Sequence, residues 1–185
     1  ARFAECLIPL INKNEEASVK IATDIIDNFQ KIYEVKWLNM MRDKLGLFGE
    51  DKNDKKLINN LFNWMEKNKV DYTNTFCHLM EVNIENSAYK DDDFIRWLNE
   101  WKKRSELNNS NKEKQIKLMK KNNPIVIPRN HKVEEALAGA DKGSLEKMDK
   151  LTAILKNPYS DQKDIIEYQL PAPKSDEKYQ TFCGT

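Results

Sequence analysis

Apolar residues recur along this chain at three- and four-residue spacing and almost nowhere in alternation, so helices are expected throughout. Phe3, Leu7, Leu10 and Ile11 open the pattern, with Pro9 expected to kink or bound the first helix. Asn14 can cap a second helix, with Glu15 and Glu16 at its positive end. Its stripe, expected to be buried, reads Ala22, Ile25, Ile26, Phe29, Tyr33, Trp37, Met40, Met41 and Leu45, and Gly46 supplies a left-handed stop. Asp54 is expected to cap the next helix, whose face is Leu57, Ile58, Leu61, Phe62 and Met65. Another, from about Asp71, would bury Tyr72, Phe76, Leu79 and Met80. The run Asp91-Asp92-Asp93 then introduces a helix presenting Phe94, Trp97, Leu98 and Trp101.

Beyond the polar break Asn108-Asn109-Ser110-Asn111, a lysine-rich helical stretch runs from Lys112 to Lys121. An extended linker bounded by Pro124 and Pro128 follows. Asn130 is expected to cap the helix after it, with Val133, Ala136, Leu137 and Ala140 inward and Gly143 at its end. Ser144 is expected to cap a last helix through Leu145, Met148, Leu151 and Leu155, stopped by Asn157-Pro158. From Tyr159 onward, Pro171, Pro173 and scattered aromatics read as an extended strap on the folded body. No Asn-Gly or Asp-Gly hairpin turn occurs. The expected fold is all-α, an irregular multi-helix bundle with an extended C-terminal tail. Four regions follow: helical 1–107, a basic connector with a helix at 108–123, a proline-bounded helical hairpin at 124–156, and the tail 157–185.

Composition agrees with long solvated helices. Charged residues make up 33% of 185, and 5 glycines are too few for a glycine-rich nucleotide loop. Lys+Arg at 31 against Asp+Glu at 30 leaves no global field to draw in nucleic acid or an anionic membrane. No apolar run approaches the roughly 20 residues of a membrane span. The helical pattern is already under way at Ala1 without signal-peptide grammar, as expected of a cut inside a longer protein. Cys6, Cys77 and Cys183 lie far apart and have no metal-ligand spacing, so a reducing, cytoplasmic setting is expected. Cys6 and Cys77 sit in apolar helical patterns and are expected to be buried; Cys183 lies beyond any helix.

No active site can be assembled from spacing. His131 with Glu134 and Glu135 lacks the His-Glu-x-x-His arrangement, and the other histidine, His78, belongs to a separate helix. The lysines of 112–121 lack interleaved aromatics and read as a solvated face rather than a nucleic-acid surface. Trp37, Trp64, Trp97 and Trp101 mostly lie on apolar stripes and read as core. Phosphate-loop and dinucleotide glycine motifs are absent. Catalytic, cofactor-binding and metal residues are therefore expected to be none in this chain.

Several segments, taken in order, resemble the C-terminal end of the selenoprotein O (YdiU) family. Ala1-Arg2-Phe3-Ala4-Glu5-Cys6-Leu7-Ile8-Pro9-Leu10 is similar to its leucine-rich helix, and Met41-Arg42-Asp43-Lys44-Leu45-Gly46-Leu47 to its RxKLGL element. Asp71-Tyr72-Thr73-Asn74-Thr75-Phe76 is similar to its DYTxTFR element, with Cys77 standing where the family often has arginine. Trp97 to Arg104, the linker Asn123 to Leu137, and the end Tyr179-Gln180-Thr181-Phe182-Cys183-Gly184-Thr185 complete the resemblance. It implies the C-terminal helical part of a kinase-like protein adenylyltransferase, which moves AMP from ATP onto protein hydroxyls with Mg or Mn. The catalytic groups of that family belong to motifs upstream of Ala1. Implied partners are the N-terminal kinase-like part of the same protein and its protein substrates, with no nucleic acid or membrane. Cys183 is the redox candidate implied by the family's cysteine or selenocysteine near its C-terminus. The alternative reading is a freestanding helical protein-interaction module.

Overall fold

The computed structural model describes residues 2–82, 84, 86–107 and 111–173, and within them every regular element is a helix. In chain order these are α1 (Arg2–Ile11), α2 (Glu15–Lys44), α3 (Asp54–Asn68), α4 (Tyr72–Leu79), a 3-10 turn (Ser87–Lys90), α5 (Asp92–Glu106), α6 (Lys112–Asn122), α7 (Asn130–Asp141), α8 (Glu146–Leu155) and the single turn α9 (Ile166–Gln169). Cys183, Tyr179 and Phe182 lie outside the described residues, as does most of the polar break at Asn108.

The body forms where the C-terminal third of α2 meets α3, α5 and α6. Met41, Leu45, Leu47, Ile58, Leu61, Phe76, Phe94, Met119 and Val126 are essentially sealed from solvent within it. An aromatic row crosses this core: Trp64 packs on Phe94 (4.4 Å between ring centres), Phe94 on Trp97 (5.8 Å), and Trp97 on Trp101 (6.1 Å). Each indole N–H has an acceptor at 2.9 Å: Asp91 for Trp64, the Leu57 carbonyl for Trp97 and the Leu45 carbonyl for Trp101. Satisfying these donors lets large rings be buried without orphaned polar atoms.

Gly46 terminates α2 as its position implies. At φ 65° it directs the Leu47 N–H to the Arg42 carbonyl (2.9 Å) and its own N–H to Asp43 (3.1 Å). A Cβ there would lie 2.5 Å from Gln115 Cγ and 3.0 Å from the Gln115 carbonyl oxygen, so the bare glycine also lets α6 approach α2. Asn123 then locks the two ends together, its Nδ2 donating to the carbonyls of Lys44 (2.8 Å) and Met119 (2.9 Å). Lys44 Nζ reciprocates with the Asn122 carbonyl (3.2 Å).

Several expectations are corrected. Pro9 lies inside α1, two residues before its end; one missing N–H is tolerable in a short exposed helix. Asn14 does cap α2, accepting from the Ala17 amide, and Asp71, near which a helix is expected to begin, caps α4 by accepting from the Asn74 amide. Asp54, Asn130 and Ser144 do not cap: Asn53, Arg129 and Leu145 hold those positions without side-chain cap bonds. Asn130 is instead the first residue of α7, and the Ser144 amide closes the preceding turn onto the Gly139 carbonyl (3.0 Å). Tyr72 is 43% exposed because α4 begins at the rim of the body, and Leu137 faces outward because α7 packs on α8 through the Ala136 side. Cys6 is exposed on α1, which packs chiefly on α2. The strap after Tyr159 is interrupted by α9, where Ile165, Tyr168 and Gln169 are buried.

Candidate functional site

The largest departure from expectation is α2 itself. Ala22, Met41 and Leu45 are buried, but Ile25, Ile26, Phe29, Tyr33 and Met40 are exposed, as are Ile32 and Val35. Every residue from 23 to 36 is open to solvent. On the N-terminal side of Trp37 this helix projects from the body and carries α1 on its far end. A contiguous apolar helix face of this length is unusual on a surface.

Two arginine–carboxylate hubs fasten the body. Asp54 is fully buried and receives Arg42 Nε on Oδ2 (2.7 Å), with Arg104 Nε on Oδ1 (2.6 Å) and Arg104 Nη2 on Oδ2 (3.1 Å). The arginines lie in the last turns of α2 and α5, where a cation offsets the helix dipole, and Asp54 lies in the first turn of α3, where a carboxylate does. Arg104 also holds the carbonyls of Phe48 (3.3 Å) and Gly49 (3.1 Å). Burial alone would raise the Asp54 pKa; the hydrogen bonds from Arg104 and Arg42 outweigh it and hold the carboxyl below its usual range.

In the second hub, Arg129 forks onto Asp71 (2.6 and 3.0 Å) and reaches Asn74 Oδ1 (3.1 Å) and the Gln169 carbonyl (2.8 Å). Gln169 donates in turn to the Ile125 carbonyl (3.0 Å), and the Ile125 N–H to the Pro158 carbonyl (2.7 Å). The proline-bounded linker is thereby clamped between α4 and the segment leading to α9. Sequence reasoning missed both hubs. The available signal was an arginine set on an apolar stripe, Arg42 beside Met41 and Arg104 three residues past Trp101.

The remaining candidates do not converge. His131 sits in the first turns of α7, whereas His78 lies flat on Tyr89 (3.9 Å between ring centres), where burial lowers its pKa. Among the described residues, no three His, Cys, Asp or Glu side chains lie close enough to hold a metal ion. Lys120 of the basic helix α6 pairs with Asp161 (2.8 Å), and Lys112 pairs with Glu81. An open groove of about 450 Å³ beside Asp54 mixes Lys56, Lys103 and Arg104 with Asp51 and Glu100, so it presents no single charge. No described helix is long and apolar enough to cross a membrane.

Cys77 is buried, with its thiol 3.7 Å from the Pro124 carbonyl oxygen. Burial, reinforced by the charge of Asp71, pushes this thiol up to about 11. Cys6 has solvent access and should therefore be alkylated by iodoacetamide at neutral pH well before Cys77, which should react only on unfolding. Timed alkylation with peptide mass spectrometry checks this; equal rates would show that the core around Pro124 opens readily.

A family model described as protein adenylyltransferase SelO matches residues 1–156. Protein nucleotidyltransferase YdiU of Pelagibacter ubique is 56% identical over 185 residues, covering 100% of this chain and 38% of that protein. The proteins of the same description from Clostridium perfringens and Bacillus thuringiensis are 46% and 45% identical, again covering 100% of this chain and 38% of theirs. The chain thus spans less than two fifths of the length of these relatives.

Proposed function

This chain belongs to the SelO protein adenylyltransferase family, and on that premise we propose that it is the C-terminal helical part of such an enzyme, supporting a catalytic part outside this sequence. The reaction is transfer of AMP from ATP to protein hydroxyls. That chemistry requires a nucleophile aligned on the α-phosphorus and positive charge to neutralise the departing pyrophosphate. The proposal assigns ATP, Mg or Mn and the groups that hold them to the N-terminal kinase-like part of the same protein, in a cytoplasmic setting. No residue of this chain is given a chemical role in the transfer. Cys183 remains the redox candidate, on the family resemblance alone.

The observation that carries the reading is the bare apolar face of α2, in a chain that covers 38% of its relatives. The two arginine hubs fit a structural role, because their donors are turned inward onto Asp54, Asp71 and backbone carbonyls rather than toward a ligand. A freestanding interaction module would use the same face, but it leaves the greater length of the relatives without a part to play.

Incubating the purified chain with α-labelled ATP, Mg or Mn and a protein acceptor should give no transfer of label. A longer protein that includes the preceding kinase-like residues should give transfer to Ser, Thr or Tyr. Label transferred by the isolated chain, and abolished by a substitution within it, would overturn the division of labour. Failure of the active longer protein to need residues 15–173 would overturn the supporting role.

A further inference from the structure

One face of α2 changes its surroundings along its length. Ser18 and Ala22 are buried, Ile25, Phe29, Ile32 and Tyr33 are 54–65% exposed, and Met40, further along the same face, is 46% exposed. Successive steps of three or four residues from Ser18 to Tyr33 keep these positions on one side of a helix. The stripe is therefore covered at its N-terminal end and bare beyond it.

The cover at the N-terminal end is α1. Only residues 12–14 join the two helices, and the hairpin is closed by Ser18 Oγ donating to the Asn12 carbonyl (3.1 Å), so α1 runs antiparallel along the start of α2. Ten residues of α1 reach back about 15 Å, and thirty of α2 extend about 45 Å. Arg2 accordingly stands about level with the last covered turn of α2, and a chain continuing backwards along the same line passes over Ile25, Phe29 and Tyr33. Phe3, in the α1 turn nearest that stretch, is itself 77% exposed.

We infer that the residues directly preceding Ala1 in the longer protein extend the path of α1 and lie in this bare stretch. The inference rests on the reading of this chain as part of a longer protein and names the segment that covers it. Linkage favours this occupant, because a directly attached segment closes almost no loop, whereas a distant one must. A second copy is the weaker candidate: one helix face offers little toward the roughly 800 Å² per partner that stable pairs typically bury.

The test uses the full-length protein with Phe29→p-benzoylphenylalanine and, separately, Tyr33→p-benzoylphenylalanine. Both positions are exposed in this chain, so two independent variants guard against one that misfolds. After irradiation, peptide mapping should place the adduct within roughly the 15 residues before Ala1, the length needed to span the bare turns as helix. Adducts confined to a more distant segment, a cross-linked dimer, or no protein adduct would each overturn the inference. AMP transfer is assayed on the same samples. An active enzyme without the neighbouring adduct sinks this inference alone, and a neighbouring adduct in an enzyme that transfers no AMP sinks the proposed function alone.

Discussion

Replacing Asp54 with alanine is expected to cost about 3–5 kcal/mol of folding stability, because it removes the shared counter-charge of two buried guanidinium groups and leaves Arg42 only the exposed carboxylate of Glu50 (3.4 Å). For a chain of this size that lowers the melting temperature on the order of 10 °C. Urea titration followed by helical circular dichroism measures it. A loss under about 1 kcal/mol would mean that Arg42 and Arg104 swing to water, which their 9% and 8% side-chain exposure argues against. The Asp54 carboxyl also has a pH signature. Its folded pKa lies below the unfolded value of about 3.9, so the stability it confers is present above that value and is lost as pH falls through the folded one. Acid unfolding below about pH 4 should therefore be shallower in Asp54→Asn than in the unaltered chain.

The second large effect is expected from Arg129→Lys. Lysine keeps the charge but cannot make the two-pronged contact with Asp71 while also reaching Asn74 and the Gln169 carbonyl. With several charge-assisted bonds lost at a mostly buried position, a loss of about 3 kcal/mol is expected. Amide exchange at Ile125 and across 165–170 should accelerate more than in α3, since the clamp between linker and α9 is released first. Uniform acceleration everywhere would show that Arg129 supports the whole body rather than the clamp.

How much of this was legible in the sequence depends on what each signal reports. The helices were readable because periodicity and breakers act locally: Gly46 takes φ 65°, and Asn14 and Asp71 cap where an acceptor is needed. Periodicity says that a face is apolar, not what covers it. Ile25, Phe29 and Tyr33 thus carry the same signal as Met41 and Leu45 with the opposite exposure. Asp54 and Asn130 fail as caps for a related reason. A cap position is compatible with other uses of the same side chain, and two arginines remote in sequence turn Asp54 inward. The clamp at Arg129 joins residues 40 and 58 positions away, which no local pattern contains. The resemblance, by contrast, was carried by ordered short motifs, and the match over residues 1–156 agrees with it.

The arginine hubs act as ionic staples. Arg104 to Asp54 and Arg129 to Asp71 close loops of 50 and 58 residues, spans over which a disulfide would do the same topological work. A sulfur cross-link answers to thiol reductants, whereas these answer to acid and, at their more exposed margins, to salt. Among the described residues the tertiary frame is thus held by links that thiol exchange does not touch.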